Sequence, residues 1–270
     1  MSQSPTPHSP APQPSAPRVQ VDLETRASGM VAHVVIDNAA KLNTLGSALM
    51  TAFIDAVVAL GRREDLRAVV LTGAGDKAFI GGANIHEMTK LDAAAARAFI
   101  TLVHRSCTAL RDLTVPVIAR VNGYALGAGL EIAAACDLRV ASSRAVFGMP
   151  EVKVGIPSVV EAALLPGLIG WGRTRELLLF GENIDAATAL AWGLVEEVVA
   201  PEALDAAVAR RLDALLACGP QAVRLQKQLI RRWEDLTLSQ AVAAGIESFT
   251  QAYAGDEPAR MMAAFTNRRR

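Results

Sequence analysis

Short β-branched runs alternate with longer amphipathic segments along the first half of the chain. The runs at 31–36, 68–72 and 115–121 are bounded by polar residues or glycine, which is typical of buried strands. The segment 47–60, SALMTAFIDAVVAL, has apolar residues at helical spacing, and the Ala-rich segment 92–113 is predicted to be a second helix. Strands that alternate with helices in this way favour a layered α/β core.

From about residue 158 the hydrophobic positions follow helical spacing. The predicted helices there span 159–169, 174–180, 186–191, 204–216, 220–233 and 236–254. On the segment 220–233, Arg224, Lys227 and Arg231 share one face, which we interpret as solvated, with contact to a bound ligand as the alternative. The last third of the chain is therefore expected to be helical.

The first seventeen residues contain six of the thirteen prolines and no apolar run. This composition indicates a disordered or extended tail at 1–17 and not a signal peptide. No later stretch reaches about eighteen uninterrupted apolar residues, so we expect no membrane span and a cytoplasmic protein. Because 27 basic residues balance 27 acidic ones, the overall charge indicates a small ligand rather than nucleic acid or an anionic membrane.

The cysteine and histidine content predicts no metal centre. Cys107, Cys136 and Cys218 are widely spaced in apolar surroundings, which fits reduced core thiols better than disulfides or a metal site. The chain has four histidines and no His/Cys cluster, so we expect no protein-bound metal.

Two glycine-rich segments are candidates for chemistry. Gly81-Gly82-Ala83 follows a predicted strand, and Gly127-Ala128-Gly129 opens a predicted helix, so both leave backbone N–H groups bare for an oxyanion. The alternative is that each is a tight turn where two backbones approach closely. Neither segment matches a phosphate-binding loop or a dinucleotide fingerprint, so nucleotide binding is disfavoured.

Two carboxylates accompany the second glycine cluster. Glu131 lies on the first turn of the helix, where it could simply complement the helix dipole, and Glu151 lies in a loop-like segment between Pro150 and Pro157, where it could be a solvated residue. Taken together with the bare amides, however, they predict a site for general acid–base chemistry.

The segments GAGDKAFIGGANIHEM and RVNGYALGAGLEIAAACDLRVASSRAVFGMPEVKVGIP resemble the two hallmark motifs of the crotonase (enoyl-CoA hydratase/isomerase) superfamily. VIDNAAKLNTL, which ends at Leu45, and the segment 189–199 extend the resemblance, which runs from about residue 18 to the C-terminus. It implies an α/β fold: a spiral of ββα repeats at 18–200, followed by a helical region at 201–270 used for trimerisation, commonly with two trimers in a hexamer.

The resemblance also implies roles for individual residues. Ala83 and Ala128 would supply the backbone N–H groups of an oxyanion hole for the thioester carbonyl of an acyl-CoA. Glu131 would deprotonate the attacking water and Glu151 would protonate the α-carbon, because both fall at the hydratase positions, twenty residues apart. The expected activity is hydration of a 2-enoyl-CoA. The alternatives are an enoyl-CoA isomerase or acyl-CoA hydrolase of the same fold and a non-catalytic RNA-binding relative.

Coenzyme A would be part of the substrate, with no metal and no redox cofactor. Lys41 corresponds to the family's CoA-binding turn, and Phe249 and Arg268 resemble positions that reach the CoA of a neighbouring subunit. We expect no nucleic-acid or membrane partner and a homotrimer or hexamer.

The chain departs from the family pattern after Glu151. The stretch VKVGIPSVVEAALLP is one residue shorter than the usual hydratase loop and lacks its glycine-rich turn, so the substrate pocket is expected to differ. Glu161 falls in this stretch and is interpreted as a solvated helix residue, with an approach to the acyl group as the alternative. His86 stands where a lysine is frequent and is interpreted as non-catalytic.

Overall fold

The computed structural model describes residues 16–267, so most of the predicted tail at 1–17 lies outside the described residues. The strands are β1 (Arg18–Arg26), β2 (Gly29–Asp37), β3 (Leu66–Gly73), β4 (Ala78–Ile80), β5 (Val117–Val121), β6 (Tyr124–Leu126), β7 (Leu138–Ser142), β8 (Val146–Gly148), β9 (Ile184–Asp185) and β10 (Glu197–Val199). The α-helices are α1 (Ser47–Gly61), α2 (Ile85–Met88), α3 (Ala93–Arg111), α4 (Ala128–Ala135), α5 (Leu165–Phe180), α6 (Ala186–Trp192), α7 (Leu204–Leu216), α8 (Pro220–Trp233), α9 (Leu238–Ala252) and α10 (Glu257–Asn267). Short 3₁₀ helices occupy Ala39–Lys41, Pro150–Val154, Val160–Leu164 and Pro201–Ala203.

The strands form two sheets. The larger sheet has the order β1-β2-β3-β5-β7-β10, in which β1 and β2 form an antiparallel hairpin and the other neighbours are parallel. The smaller sheet has the order β4-β6-β8-β9. Consecutive strands, such as β3 and β4 or β5 and β6, enter different sheets before the chain continues into a helix. The α/β class and the spiral of ββα repeats are therefore confirmed.

The larger sheet is covered on both faces, which explains its continuous apolar strands. Along β3, Val69 and Leu71 pack into the core shared with α1 and α3, whereas Ala68 and Val70 face α7. Because successive side chains of a strand point to opposite faces, only a strand buried on both sides needs apolar residues at every position.

Most long elements lie where the pattern predicts them, with three differences in the helical region. The predicted helices 159–169 and 174–180 are instead the 3₁₀ helix Val160–Leu164 and α5, which kinks at Gly170 (φ +76°). The basic face of α8 is only partly solvated: Lys227 is buried, whereas the Arg231 side chain is 40% exposed. Lys227 Nζ donates to the carbonyls of Leu110 and Val115 and to Asp137.

Two of the three cysteines lie in the core. Cys107 and Cys136 are buried free thiols as predicted, but Cys218 is exposed and is not a core residue. Among the helices of residues 16–267, none has the length and apolar character needed to cross a bilayer.

Candidate active site

The two glycine-rich turns lie side by side because the strands that precede them are neighbours. β4 pairs in parallel with β6, with Ile80 opposite Ala125, so both strands end at the same edge of the smaller sheet. A Cβ on Gly82 would lie 3.1 Å from the carbonyl oxygen of Leu126, and a Cβ on Gly129 would collide with the carbonyl of Ile80. The glycines therefore allow the close backbone approach that the sequence offered as an alternative, and this approach brings the two turns together.

The first turn presents the backbone N–H of Ala83. Leu45 donates to the Gly82 carbonyl at 2.9 Å and accepts from Asn84 N–H at 2.8 Å, so the parallel bridge is made by the residues on either side of Ala83. In such a bridge the N–H of the central residue points away from the partner strand. The Ala83 N–H has no acceptor among residues 16–267 and is available to a ligand.

The second turn presents the backbone N–H of Ala128, the first residue of α4. The first amides of a helix lack intrahelical acceptors and lie at the positive end of its dipole. The Gly127 carbonyl accepts from Leu130 and Glu131 at 2.8 and 3.0 Å, which starts the helix. Gly127 itself has φ +50° and ψ −122°, a conformation that glycine adopts readily and other residues avoid.

Glu131 lies one helical turn beyond Ala128 and is 4% exposed. One carboxyl oxygen, Oε1, accepts from the backbone N–H of Ala162 at 3.2 Å, while Oε2 has no protein partner within residues 16–267. Burial raises the pKa of Glu131 to about 8, and the negative charge of Glu151 acts in the same direction. Glu131 and Glu151 together therefore retain one shared proton at neutral pH.

Glu151 lies in the 3₁₀ helix Pro150–Val154, not in an irregular loop as the sequence suggested. Its Oε2 accepts from the Ser158 hydroxyl at 2.8 Å. Its Oε1 lies against Gly127, because a Cβ on that glycine would collide with it. Glu151 is therefore adjacent to the start of α4, and its charge acts on Glu131. The predicted pair of carboxyls is brought together beside the two bare amides.

Glu161 is buried, at 8% exposure, and is not the solvated residue that the sequence suggested. It accepts from or shares a proton with Nδ1 of His104 at 2.8 Å, and its charge also reaches Glu131. Sequence reasoning missed His104 entirely. The apolar residues on both sides of Glu161, VV before it and AALL after it, were the available signal of burial.

The candidate CoA-binding residues lie outside this cluster. Lys41 is exposed at the end of the helix Ala39–Lys41, and Phe249 is 67% exposed on α9. Arg268 lies outside the described residues. Within residues 16–267, no group of three or more His, Cys, Asp or Glu side chains is arranged to hold a metal ion.

Comparisons with known proteins found similar sequences and similar solved structures. The family model described as enoyl-CoA hydratase/isomerase matches residues 26–270. A short-chain-enoyl-CoA hydratase of Clostridium acetobutylicum is 37% identical over 243 residues, which cover 90% of this chain and 93% of that protein. A crotonyl-CoA hydratase of Syntrophomonas wolfei is 35% identical over 241 residues, 89% of this chain and 93% of that protein. The crystal structure of an enoyl-CoA hydratase from Bacillus anthracis is similar with a TM-score of 0.87 at 29% identity, covering 93% of this chain and 96% of that one.

Proposed function

Because this chain belongs to the enoyl-CoA hydratase/isomerase family, we propose that it is an enoyl-CoA hydratase, which adds water across the C2=C3 double bond of a 2-enoyl-CoA and gives a 3-hydroxyacyl-CoA. The observation that carries this proposal is the pair of carboxyls, Glu131 and Glu151, beside the free amides of Ala83 and Ala128. Hydration needs an acid, a base and hydrogen-bond donors that polarise the thioester. The two carboxyls and the two backbone N–H groups would supply these.

The two amides would bind the thioester oxygen. When water attacks C3, the electrons of the double bond move toward the carbonyl, and negative charge develops on that oxygen. Backbone N–H groups of Ala83 and Ala128, fixed at the end of β4 and at the start of α4, stabilise that charge without reorganising. The rest of the reaction then depends on where two protons go.

The two glutamates would move these protons. Glu131 accepts a proton from the water as its oxygen bonds to C3, and Glu151 donates a proton to C2. The reverse reaction uses the same groups in exchanged roles, so each direction needs one proton on the pair. Two close acids titrate as a unit. The high pKa of Glu131, about 8, keeps that single proton on the pair at neutral pH.

Glu131→Gln and Glu151→Gln test the assignment. Each removes one proton carrier and keeps the side-chain shape, so we expect each to lower the hydration rate of crotonyl-CoA by at least about 100-fold. The measurement is the loss of the conjugated-enoyl absorbance, with circular dichroism to confirm folding. Glu24→Gln is the matched control, because Glu24 lies on β1 and pairs with Arg26 and His33 away from the cleft. Unchanged rates in either active-site variant would contradict the assignment.

A second substrate separates hydration from the related activities. Purified wild-type protein is assayed with crotonyl-CoA, with a 3-enoyl-CoA and for release of free CoA. We expect the 3-hydroxyacyl-CoA product to dominate. Faster conversion of the 3-enoyl-CoA would indicate an isomerase, and thiol release would indicate a hydrolase.

We further propose that the protein is a cytoplasmic homotrimer or hexamer that needs no metal or redox cofactor. The support for assembly is an apolar stripe on α9, which we define as Leu238, Val242, Ile246, Phe249 and Tyr253. These residues recur every three or four positions and are 56–81% exposed. Such a stripe is typical of a face that packs against another subunit. Phe249 and Arg268 would then reach a neighbour's CoA, and Lys41 would approach the CoA of its own subunit. Sedimentation equilibrium gives the subunit number.

A further inference from the structure

A second ionisable pair, His104 and Glu161, lies next to Glu131. Nδ1 of His104 on α3 donates to the Glu161 carboxylate at 2.8 Å. The His104 side chain is 52% exposed, whereas that of Glu161 is 9% exposed. The other carboxyl oxygen of Glu161, Oε2, is buried with no hydrogen-bond partner among residues 16–267. A buried carboxyl with an unpartnered oxygen is costly and needs an explanation.

The backbone around Glu161 is coupled to Glu131. The next residue, Ala162, donates its N–H to Oε1 of Glu131 at 3.2 Å. The preceding residue, Val160, has φ +41°, a left-handed conformation that β-branched residues rarely adopt. This strain is maintained only where neighbouring contacts determine the turn. The His104–Glu161 contact fixes the turn formed by residues 160–162. This turn orients the Ala162 N–H toward Glu131.

Several ionisable groups face Glu161, and they come from two elements packed against the turn. His104 and Cys107 come from α3, and Glu131 comes from α4. Burial holds the pKa of Cys107 well above its usual range, and the charges of Glu161 and Glu131 add to this, so Cys107 stays a neutral thiol. Among the described residues, α5 contributes no charged side chain that hydrogen bonds with Glu161. His104 is the basic side chain of this cluster.

We propose that the His104–Glu161 pair positions the carboxyl of Glu131 and places a third carboxylate beside the Glu131–Glu151 pair, where it acts on the proton that the pair shares. This inference rests on the proposed hydratase function and adds two positioning residues to it. Glu161 fixes the turn through His104 and acts electrostatically through its buried carboxyl. Neither residue has to touch the substrate.

The pH profile of hydration separates this role from a purely structural one. Only the singly protonated glutamate pair is active, so kcat/KM falls as the shared proton is lost above about pH 8. Glu161→Gln keeps a hydrogen-bonding partner for His104 but removes the charge. We therefore expect the alkaline limb to move to lower pH by about 0.5 unit or more. His104→Gln keeps the hydrogen bond and the charge of Glu161, so its limb does not move to lower pH.

Three further variants test the anchor and the specificity of the effect. Glu161→Ala removes both the anchor and the charge, and we expect it to lower kcat by about tenfold more than Glu161→Gln, with KM changed little. The matched controls are His33→Gln and Glu24→Gln, which disrupt a second His–Glu pair, 2.9 Å apart, on strands β1 and β2. In both controls we expect kcat/KM to fall at the same alkaline pH as in the wild type.

A limb that moves down in Glu161→Gln, and not in His104→Gln or the controls, supports the proposal. An unmoved limb in Glu161→Gln, or an equal downward shift in His104→Gln, overturns it. The infrared band of the protonated Glu131 carboxyl, identified by its loss in Glu131→Gln, follows the same titration without turnover. If wild-type protein fails to hydrate crotonyl-CoA, the proposed function fails, while the infrared titration of Glu161→Gln still tests the pair.

Discussion

Gly127 meets two separate requirements at the residue scale. Its φ of +50° starts α4 in the direction that leaves the Ala128 amide free, and its missing side chain makes room for the carboxyl of Glu151. The first requirement is conformational and the second is steric. A substitution at this position therefore affects the site more than the stability of the chain.

Gly127→Ala separates these effects when it is compared with Gly170→Ala. Gly170 also has a positive φ, +76°, but a Cβ there would meet nothing within 4 Å. Both alanines should cost about 1–2 kcal/mol of stability for the backbone conformation. We expect Gly127→Ala alone to reduce hydration strongly, by about tenfold or more, because its Cβ displaces Glu151. Thermal unfolding and kcat/KM of the two variants check this, and equal activities would contradict it.

The sequence shows the chemistry of single residues better than their surroundings. Glu131 and Glu151 could be selected because they accompany bare amides within thirty residues of chain. His104 could not, because its partner Glu161 is 57 residues away and the contact exists only after α3 packs beside the turn. The burial of Glu161 is likewise a tertiary property that local spacing does not contain.

At the element scale, α8 is fixed to the core by a buried cation. Lys227 is 8% exposed. Its Nζ donates to the carbonyl of Leu110 in the last turn of α3, to the carbonyl of Val115 after that helix, and to Asp137 at 2.7 Å. Asp137 also accepts from Val117 N–H at 2.7 Å, so one carboxylate connects α8 with β5. Arg224 adds bonds to Thr114 and to the carbonyls of Glu64 and Leu66. Lys227 and Arg224 thus attach this face of α8 to the core, while Arg231 at its end is partly exposed and pairs with Glu234.

Lys227→Met measures that attachment. It leaves two carbonyls and part of a carboxylate without a donor, so we expect a loss of about 3 kcal/mol in the free energy of unfolding. Arg232→Met on the same helix is the control, because the Arg232–Glu247 pair is exposed and 3.6 Å apart, and such pairs contribute at most about 1 kcal/mol. Urea unfolding gives both values, and similar losses in the two variants would refute the role of Lys227.

Elements long enough to repeat their hydrophobic pattern could be predicted from the sequence, whereas shorter elements could not. Helices α7 and α8 begin and end at the predicted residues, because their apolar stripes run over several turns. The strands of the smaller sheet have only two or three residues, too few for a period. Pairing with a neighbouring strand determines them, so the edge that holds the two amides was inferred from family resemblance and not from pattern.

At the scale of the whole molecule, the arrangement that builds the site also buries an acid. The smaller sheet brings two turns together, and α4 then carries Glu131 into the core beside Glu161. Burial disfavours a charged carboxylate, so the fold is most stable when Glu131 is protonated. The acid–base chemistry and the stability of the protein are consequently coupled through one group.

Stability should therefore fall as pH rises through the range in which Glu131 ionises. The pKa of Glu131 is about 8 in the folded protein, and its ordinary value is 4.5. The stability that this difference contributes is therefore complete below pH 4.5 and is lost between pH 4.5 and 8. Between pH 5 and 8 the wild type should lose up to roughly 4 kcal/mol relative to Glu131→Gln, which cannot ionise. Urea unfolding at fixed protein concentration measures the difference.

Glu24→Gln serves as the control, because hydrogen bonds from Arg26 and His33 lower the pKa of Glu24, and its titration lies below this range. Parallel pH dependences of wild type and Glu131→Gln would show that Glu131 is already ionised in the folded protein and would refute a raised pKa of Glu131.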